Sequence, residues 1–172
     1  TLCLLALSLS AYRCGSSSNG LSFTQNPALF GVGYSGTEFV AVGQDLTIAN
    51  SADGMNFTRQ SLDCCGLLRA VAFGNGKWVA TGDSGIVYTS TDSATWFFHF
   101  LPTSNSMGGA VFANNLYVLV GDNGTILTSP NAGSWSVRTS GTTVDLLGVT
   151  FAQNLFVAVG LNGTILTSPD AI

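Results

Sequence analysis

The sequence predicts an all-β fold, a β-propeller of four-stranded blades, on three observations. These are a gapless 39-residue repeat, four short apolar runs within each repeat, and turn-forming residues between the runs. The repeat is visible in Gly43, Gly82, Gly121 and Gly160, and in Ser51, Ser90, Ser129 and Ser168. Aromatic positions keep the same phase: Tyr34, Phe73, Phe112 and Phe151, then Phe39, Trp78, Tyr117 and Phe156, then Phe57, Trp96 and Trp135.

Within the second repeat, strands a to d are expected over 67–73, 77–82, 85–90 and 95–101. Between them stand Gly-Asn-Gly, Asp-Ser-Gly and Thr-Asp-Ser-Ala, residues that accept the positive φ of tight hairpins. Across the chain this gives strands near 29–34, 39–43, 47–51 and 55–60 and their 39-residue translates, with no helix longer than two turns outside 1–14. Blades bury both faces, hence near-continuous apolar runs such as Phe156-Val-Ala-Val159. Gly31, Ala70, Gly109 and Gly148 share one position in strand a, where small residues suit the crowding near the propeller axis or simply a bend. The blades span 28–66, 67–105 and 106–144, and 145–172 holds a fourth with strands a to c only.

The first residues read differently. Residues 1–14 contain an apolar run, Leu2 to Ala11, with the length and Leu/Ala content of a secretory leader, though without a basic start; a buried N-terminal strand is the other reading. Ten apolar residues are too few to span a bilayer. Export, to the periplasm, cell surface or medium, is the expected consequence. Residues 15–19 form a tether, and the run from Cys14 to Gly20 looks like the lipidated cysteine and flexible arm of bacterial lipoproteins, except that Tyr12-Arg13 replaces the small residues such a site has. Membrane association is expected only through that anchor. Residues 20–27 supply a lone outer strand, because Gly20-Leu-Ser-Phe23-Thr-Gln25 matches Gly54-Met-Asn-Phe57-Thr-Arg59. Such a strand could close a four-bladed ring by pairing 21–25 beside 164–168, or belong to a larger propeller of which this chain is a part; the larger propeller is the expectation.

Composition narrows the function. The 172 residues are 46% apolar and 8% charged, with a net charge of −4, and the five basic residues are scattered at Arg13, Arg59, Arg69, Lys77 and Arg138. Nucleic acid needs a clustered basic stripe, so it is not an expected partner. Among four cysteines and one histidine there is no CxxC and no set of ligands at zinc spacing, so no metal or other cofactor is expected. Cys64 and Cys65 read either as ordinary loop thiols or as a vicinal disulfide.

The turn between strands c and d is the most specific motif. It reads Ser51-Ala-Asp53-Gly-Met-Asn-Phe57, Ser90-Thr-Asp92-Ser-Ala-Thr-Trp96 and Ser129-Pro-Asn131-Ala-Gly-Ser-Trp135, with Ser168-Pro-Asp170 opening a fourth. This resembles the Asp-box, or BNR, repeat of sialidase-like propellers and of photosystem II assembly-factor propellers, over about residues 20–172. It is one residue shorter than the family's usual S-x-D-x-G-x-T-W, with Asn131 for Asp and Phe57 for Trp. The carboxylate is expected to accept backbone N–H groups across the turn while the aromatic ring packs beneath it. The resemblance implies a structural motif lying away from the ligand face.

A sialidase would need an arginine trio, a tyrosine nucleophile with a glutamate, and an acidic residue. Arg59, Arg69 and Arg138 occupy different phases of the repeat, and Glu38, in an a–b turn, is the only glutamate. A paired-carboxylate glycosidase is equally hard to assemble from these residues. His99, between Phe98 and Phe100, reads as an outer-strand residue. The expectation is therefore a non-catalytic, exported scaffold binding a protein or glycan; the rivals are a glycoside hydrolase fragment lacking its catalytic residues and an assembly factor for a membrane complex. The assembly-factor resemblance implies an arginine-rich patch, which five dispersed basic residues do not form. Candidate ligand contacts are the b–c turns, with Asp45, Asp83, Asp122, Asn123 and Asn162, together with the d–a loops on the same rim. Hairpin chemistry alone also accounts for these residues.

Overall fold

The computed structural model describes residues 27–62 and 66–171. The leader, the tether, Cys14, the strand expected at 20–27 apart from its last residue, and Cys64 and Cys65 lie outside the described residues.

Among the described residues, fifteen strands form four antiparallel sheets in which sequence neighbours pair in order. The first sheet holds β1 (Leu29–Tyr34), β2 (Phe39–Gly43), β3 (Thr47–Ser51) and β4 (Thr58–Ser61). The second holds β5 (Leu68–Gly74), β6 (Lys77–Gly82), β7 (Ile86–Ser90) and β8 (Phe97–Phe100). The third holds β9 (Met107–Ala113), β10 (Leu116–Gly121), β11 (Ile126–Ser129) and β12 (Ser136–Arg138). The fourth has three strands, β13 (Leu146–Ala152), β14 (Leu155–Gly160) and β15 (Ile165–Ser168). This is an all-β propeller of about four blades. No helix among the described residues is long and apolar enough to cross a membrane.

Strands a, b and c fall where the repeat puts them. Strand d begins later than expected, at 58, 97 and 136, because the preceding turn runs through the aromatic residue before the chain extends.

The core lies between sheets, and it repeats. Val40, Val42 and Ile48 of the first sheet meet Val71, Trp78, Ala80 and Tyr88 of the second. Thirty-nine residues on, Val79 and Val87 meet Ala110, Tyr117, Leu119 and Leu127. A further translation brings Val118, Val120 and Ile126 against Val149, Phe156, Ala158 and Leu166. Burial of this kind contributes about 25 cal/mol per Å² of apolar surface, so each interface is a major source of stability.

In strand a of the first, second and fourth sheets one extra residue breaks the register, at Phe30, Arg69 and Leu147; in the third the extra residue is Gly108. Beyond it the strands of adjacent sheets approach closely. A Cβ on Gly31 would lie 2.7 Å from the Arg69 carbonyl oxygen, and one on Gly109 would lie 2.8 Å from the Gly148 Cα. Steric crowding between blades, rather than bending alone, explains the small residues at these two positions.

Candidate functional site

The b–c turns and the d–a loops share one rim. In each blade the strand-a entry accepts a backbone bond from the b–c turn of the same sheet. Gln44 N donates to Ala28 O at 2.8 Å, Asp83 N to Leu67 O at 3.1 Å, Asp122 N to Ser106 O at 2.9 Å, and Leu161 N to Asp145 O at 2.9 Å. The turns are thereby tied to the inner strands, and their geometry repeats.

Two central residues of each turn have positive φ: Asp45 and Leu46, Ser84 and Gly85, Asn123 and Gly124, Asn162 and Gly163. This is the type I′ arrangement that matches strand twist. Glycine is required at the second position in two of them, because a Cβ on Gly85 or Gly124 would run into the Thr103 or Thr142 carbonyl of the overlying d–a loop.

The rim candidates thus fall into two sets. Asp45, Asn123 and Asn162 occupy the first central position, together with Ser84, and all four are exposed. Asp83 and Asp122 stand one residue earlier and are half-buried. Asp83 Oδ1 accepts from Arg69 Nε at 2.6 Å, an ion pair that uses the extra residue of strand a. Asn105 reaches over the third turn, donating to Thr125 Oγ1 at 2.7 Å and to Asp122 O at 3.4 Å, and accepting from Asn123 Nδ2 at 3.3 Å. Asp145 of the fourth blade accepts from Asn123 N at 2.8 Å, linking two blades at the rim. Beside these contacts runs an open groove lined by Asn123, Thr125, Val137, Ser140, Thr142 and Thr143. No group of three or more His, Cys, Asp or Glu among the described residues is placed to hold a metal ion.

The opposite ends of the blades carry the Ser-x-Asp turns. Asp53 Oδ1 accepts from Met55 N and Asn56 N, each at 2.8 Å, and from Ser51 Oγ at 2.9 Å, while Asn56 Nδ2 donates to Asp53 Oδ2 at 2.8 Å. Asp92 Oδ1 accepts from Ala94 N at 3.0 Å, Thr95 N at 2.7 Å and Ser90 Oγ at 3.0 Å. Asn131 Oδ1 does the same with Gly133 N, Ser134 N and Ser129 Oγ. The fourth turn begins alike, with Ser168 Oγ donating to Asp170 Oδ1 at 2.9 Å. Hydrogen bonds to the charged form, from Asn56 N–H first and Met55 N–H next, hold the Asp53 carboxyl far below the usual carboxylate range; those led by Thr95 N–H lower Asp92.

Trp96 and Trp135 pack against the cores between sheets, but Phe57 is 40% exposed. Phe57 departs from the expected buried ring because no sheet precedes its own among the described residues.

A contact absent from the sequence reading joins these turns to the preceding blade. Glu38, in the first a–b turn, accepts from Ser93 Oγ at 2.7 Å, and Asn50 Nδ2 donates to the same Ser93 Oγ at 3.3 Å. One repeat on, Lys77 donates to Asn131 O at 3.1 Å. At the next translate, Leu116 and Ala171 join one apolar cluster. The register relates the positions only in part: 38, 77 and 116 are translates, as are 93 and 171, but Lys77 reaches Asn131, one residue before the translate of Ser93. The remaining chemistry-bearing residues stay apart: exposed His99 shares a 3.2 Å contact with Thr89, and Arg138 Nε donates to Thr128 Oγ1 at 2.8 Å.

The fold and its rim define a propeller class of protein, and comparison with solved structures agrees. The computationally designed Ika4 protein superposes with a TM-score of 0.66 at 16% identity, over 84% of this chain and 92% of that one. YCF48 bound to a D1 peptide gives 0.68 at 15% identity, over 83% of this chain and 52% of that one. YCF48 from Cyanidioschyzon merolae gives 0.64 at 17% identity, over 83% and 53%. The chain spans about half the length of each YCF48 structure, and at these identities the likeness is one of fold. No family model matches the sequence, and no curated protein matches it.

Proposed function

We propose that this chain is a non-catalytic propeller of the Asp-box (BNR) kind, acting outside the cytoplasm as a scaffold that binds an extended segment of a protein partner along the b–c and d–a rim. The observation that carries this reading is the repeated placement of Asp45, Ser84, Asn123 and Asn162: rigid type I′ turns present four exposed polar side chains at one register position. Of these, Asn123 lines an open groove together with Ser140, Thr142 and Thr143. Backbone groups of an extended peptide would find hydroxyl and amide partners there, without a charged ligand being required. The peptide-bound YCF48 structure supports the choice of a peptide over a glycan. A narrower role in assembling a membrane complex follows the same analogy.

The test is binding to peptide and glycan arrays, followed by titration of the best ligand. Asn123→Ala combined with Thr142→Val is expected to weaken peptide binding at least tenfold while leaving thermal melting within a few degrees. Asp92→Ala, on the opposite end, is expected to lower melting and leave affinity intact. Undiminished binding by the rim variant refutes the assignment. Turnover of a fluorogenic sialoside that disappears with Asp83→Asn or Asp122→Asn would establish the hydrolase reading instead.

A further inference from the structure

Four Asn-Gly pairs occur in the sequence, and two of them stand in hairpin turns of four-stranded sheets: Asn75-Gly76 between β5 and β6, and Asn123-Gly124 between β10 and β11. Such a pair is chemically labile in water, because a glycine nitrogen can reach the asparagine side-chain carbonyl carbon without a Cβ in the way. Both pairs have the positive φ of type I′ turns, 46° and 70° at 75 and 76, 55° and 68° at 123 and 124. Ring closure needs the asparagine to leave that left-handed backbone, so each turn must open before it can react.

The surroundings decide which turn opens. Asn75 and Gly76 are exposed, a Cβ on Gly76 would meet nothing within 4 Å, and the Asn75 side chain has no hydrogen-bond partner among the described residues. What holds this turn is Tyr117 of the next sheet, whose hydroxyl donates towards the carbonyls of Gly74 and Lys77 on either side of it. Asn123 is held more widely. Its backbone N–H donates to Asp145 Oδ1 at 2.8 Å and its Nδ2 to Asn105 Oδ1 at 3.3 Å, while Gly124 lies so close to the Thr142 carbonyl that a Cβ would not fit. Opening there must displace a d–a loop and release the neighbouring blade. Opening at 75 needs only the Tyr117 contact to break.

We propose that Asn75 is a site of spontaneous deamidation in the folded protein and that the Tyr117 hydroxyl holds its turn closed against the reaction. The Gly76 nitrogen, on losing its proton to solvent, forms a bond to Asn75 Cγ; the Cγ–Nδ2 bond breaks and that nitrogen takes up a proton and leaves as ammonia. Water then opens the succinimide at either carbonyl, giving aspartate or isoaspartate at 75. The isoaspartate product adds a methylene to the main chain of the turn. It also sets a carboxylate two residues from Lys77, whose Nζ donates to Asn131 O of the next blade at 3.1 Å. The turn lies at the end of the blade away from the rim, so the inference is independent of the ligand assigned there.

The experiment ages the folded full chain at physiological temperature and follows both sites by tryptic peptide mapping, which frees Asn75 in fragment 70–77 and Asn123 in fragment 78–138. Isoaspartate is read by mass spectrometry and by enzymatic methyl labelling. Conversion at 75 is expected to run about tenfold faster than at 123, in keeping with a smaller local opening. It is expected to be faster at pH 8 than at pH 6, because the attacking amide must first lose its proton. Tyr117→Phe is expected to raise the rate at 75 severalfold and leave 123 unchanged, and Asn75→Gln to leave fragment 70–77 free of isoaspartate. Equal rates at the two sites in the wild type would overturn the proposal. So would an inert Asn75 under conditions in which the isolated peptide of residues 70–77 converts. Tyr117→Phe overturns it too if the rate at 75 does not change, or if both sites accelerate together, since the reaction would then follow global unfolding.

Discussion

The turn at Ser51–Phe57 and those at Ser90–Trp96 and Ser129–Trp135 share three internal hydrogen bonds but have different surroundings. In each, an Asp or Asn side chain gathers two backbone N–H groups and a serine hydroxyl. Yet Phe57 is exposed, whereas Trp96 and Trp135 pack into the cores shared with the preceding sheet. The hydrogen-bonded turn is therefore a local structure, and the ring at its end is a device for joining blades. Sequence repetition alone does not separate these two roles; the difference between the first blade and the others does.

The largest effect that tests this division is truncation of the rings. Trp96→Ala and Trp135→Ala are each expected to cost about 3 kcal/mol, the lower end for a large aromatic because both rings are half-buried, while Phe57→Ala costs about 1 kcal/mol or less. Chemical denaturation of the three variants measures this directly. Equal losses at all three sites would show that the ring serves its own turn.

Tyr117 sharpens the comparison from the neighbouring sheet. Its ring lies 6.4 Å from that of Trp135, and its hydroxyl donates towards the carbonyls of Gly74 and Lys77 in the preceding blade. Tyr117→Phe is expected to cost about 1–2 kcal/mol by leaving those carbonyls without this donor. Burial pushes the phenol up to about 12, against about 10 in an unfolded chain. Above the unfolded value the unfolded state ionises first, so this part of the stability is present below about pH 10 and is lost between about pH 10 and 12. The Phe variant should show a shallower alkaline fall in melting temperature over that range.

A smaller effect separates the two tryptophans. Trp96 Nε1 donates to Ser93 O at 2.9 Å, but Trp135 Nε1 is buried and has no acceptor among the described residues. Replacing each by Phe should therefore cost about 1 kcal/mol more at 96 than at 135, because only the first substitution removes a formed bond. Matched urea midpoints for the two variants would contradict this.

Much of this organisation was legible in the sequence, and what was not has physical causes. Strands a to c follow from the period of 39, because hairpin glycines and apolar runs are fixed together. The start of strand d is not legible, since Phe57, Trp96 and Trp135 look like strand residues while the strands begin one residue after them. The rim was only half legible. Asp45 and Asp83 read as equivalent acidic residues, but a one-residue offset puts Asp45 in the exposed turn and lets Asp83 pair with Arg69. The role of Glu38 was hidden because its partner, Ser93, lies 55 residues away across a blade boundary.

The smallest effect concerns acid, and the third turn supplies its control. Asp53 and Asp92 are both held low by backbone N–H donors, so the ionised carboxylate is preferred in the folded state. A lowered folded value means the contribution is present above the unfolded value of about 3.9 and is lost as pH falls through the folded one. Asn131 accepts the equivalent backbone donors without a charge, so its turn has no such dependence. Both carboxylates are fully exposed, and the effect is best read as a slope. Melting temperature measured from pH 5 to pH 2 should fall less steeply in Asp53→Asn than in the wild type, with a weaker change for Asp92→Asn. Introducing the carboxylate with Asn131→Asp should steepen the fall, because it gives the third turn an acid that must stay ionised to keep its hydrogen bonds. An unchanged slope in Asn131→Asp would show that amide and carboxylate are held differently, and that the three turns share a sequence pattern but not one electrostatic design.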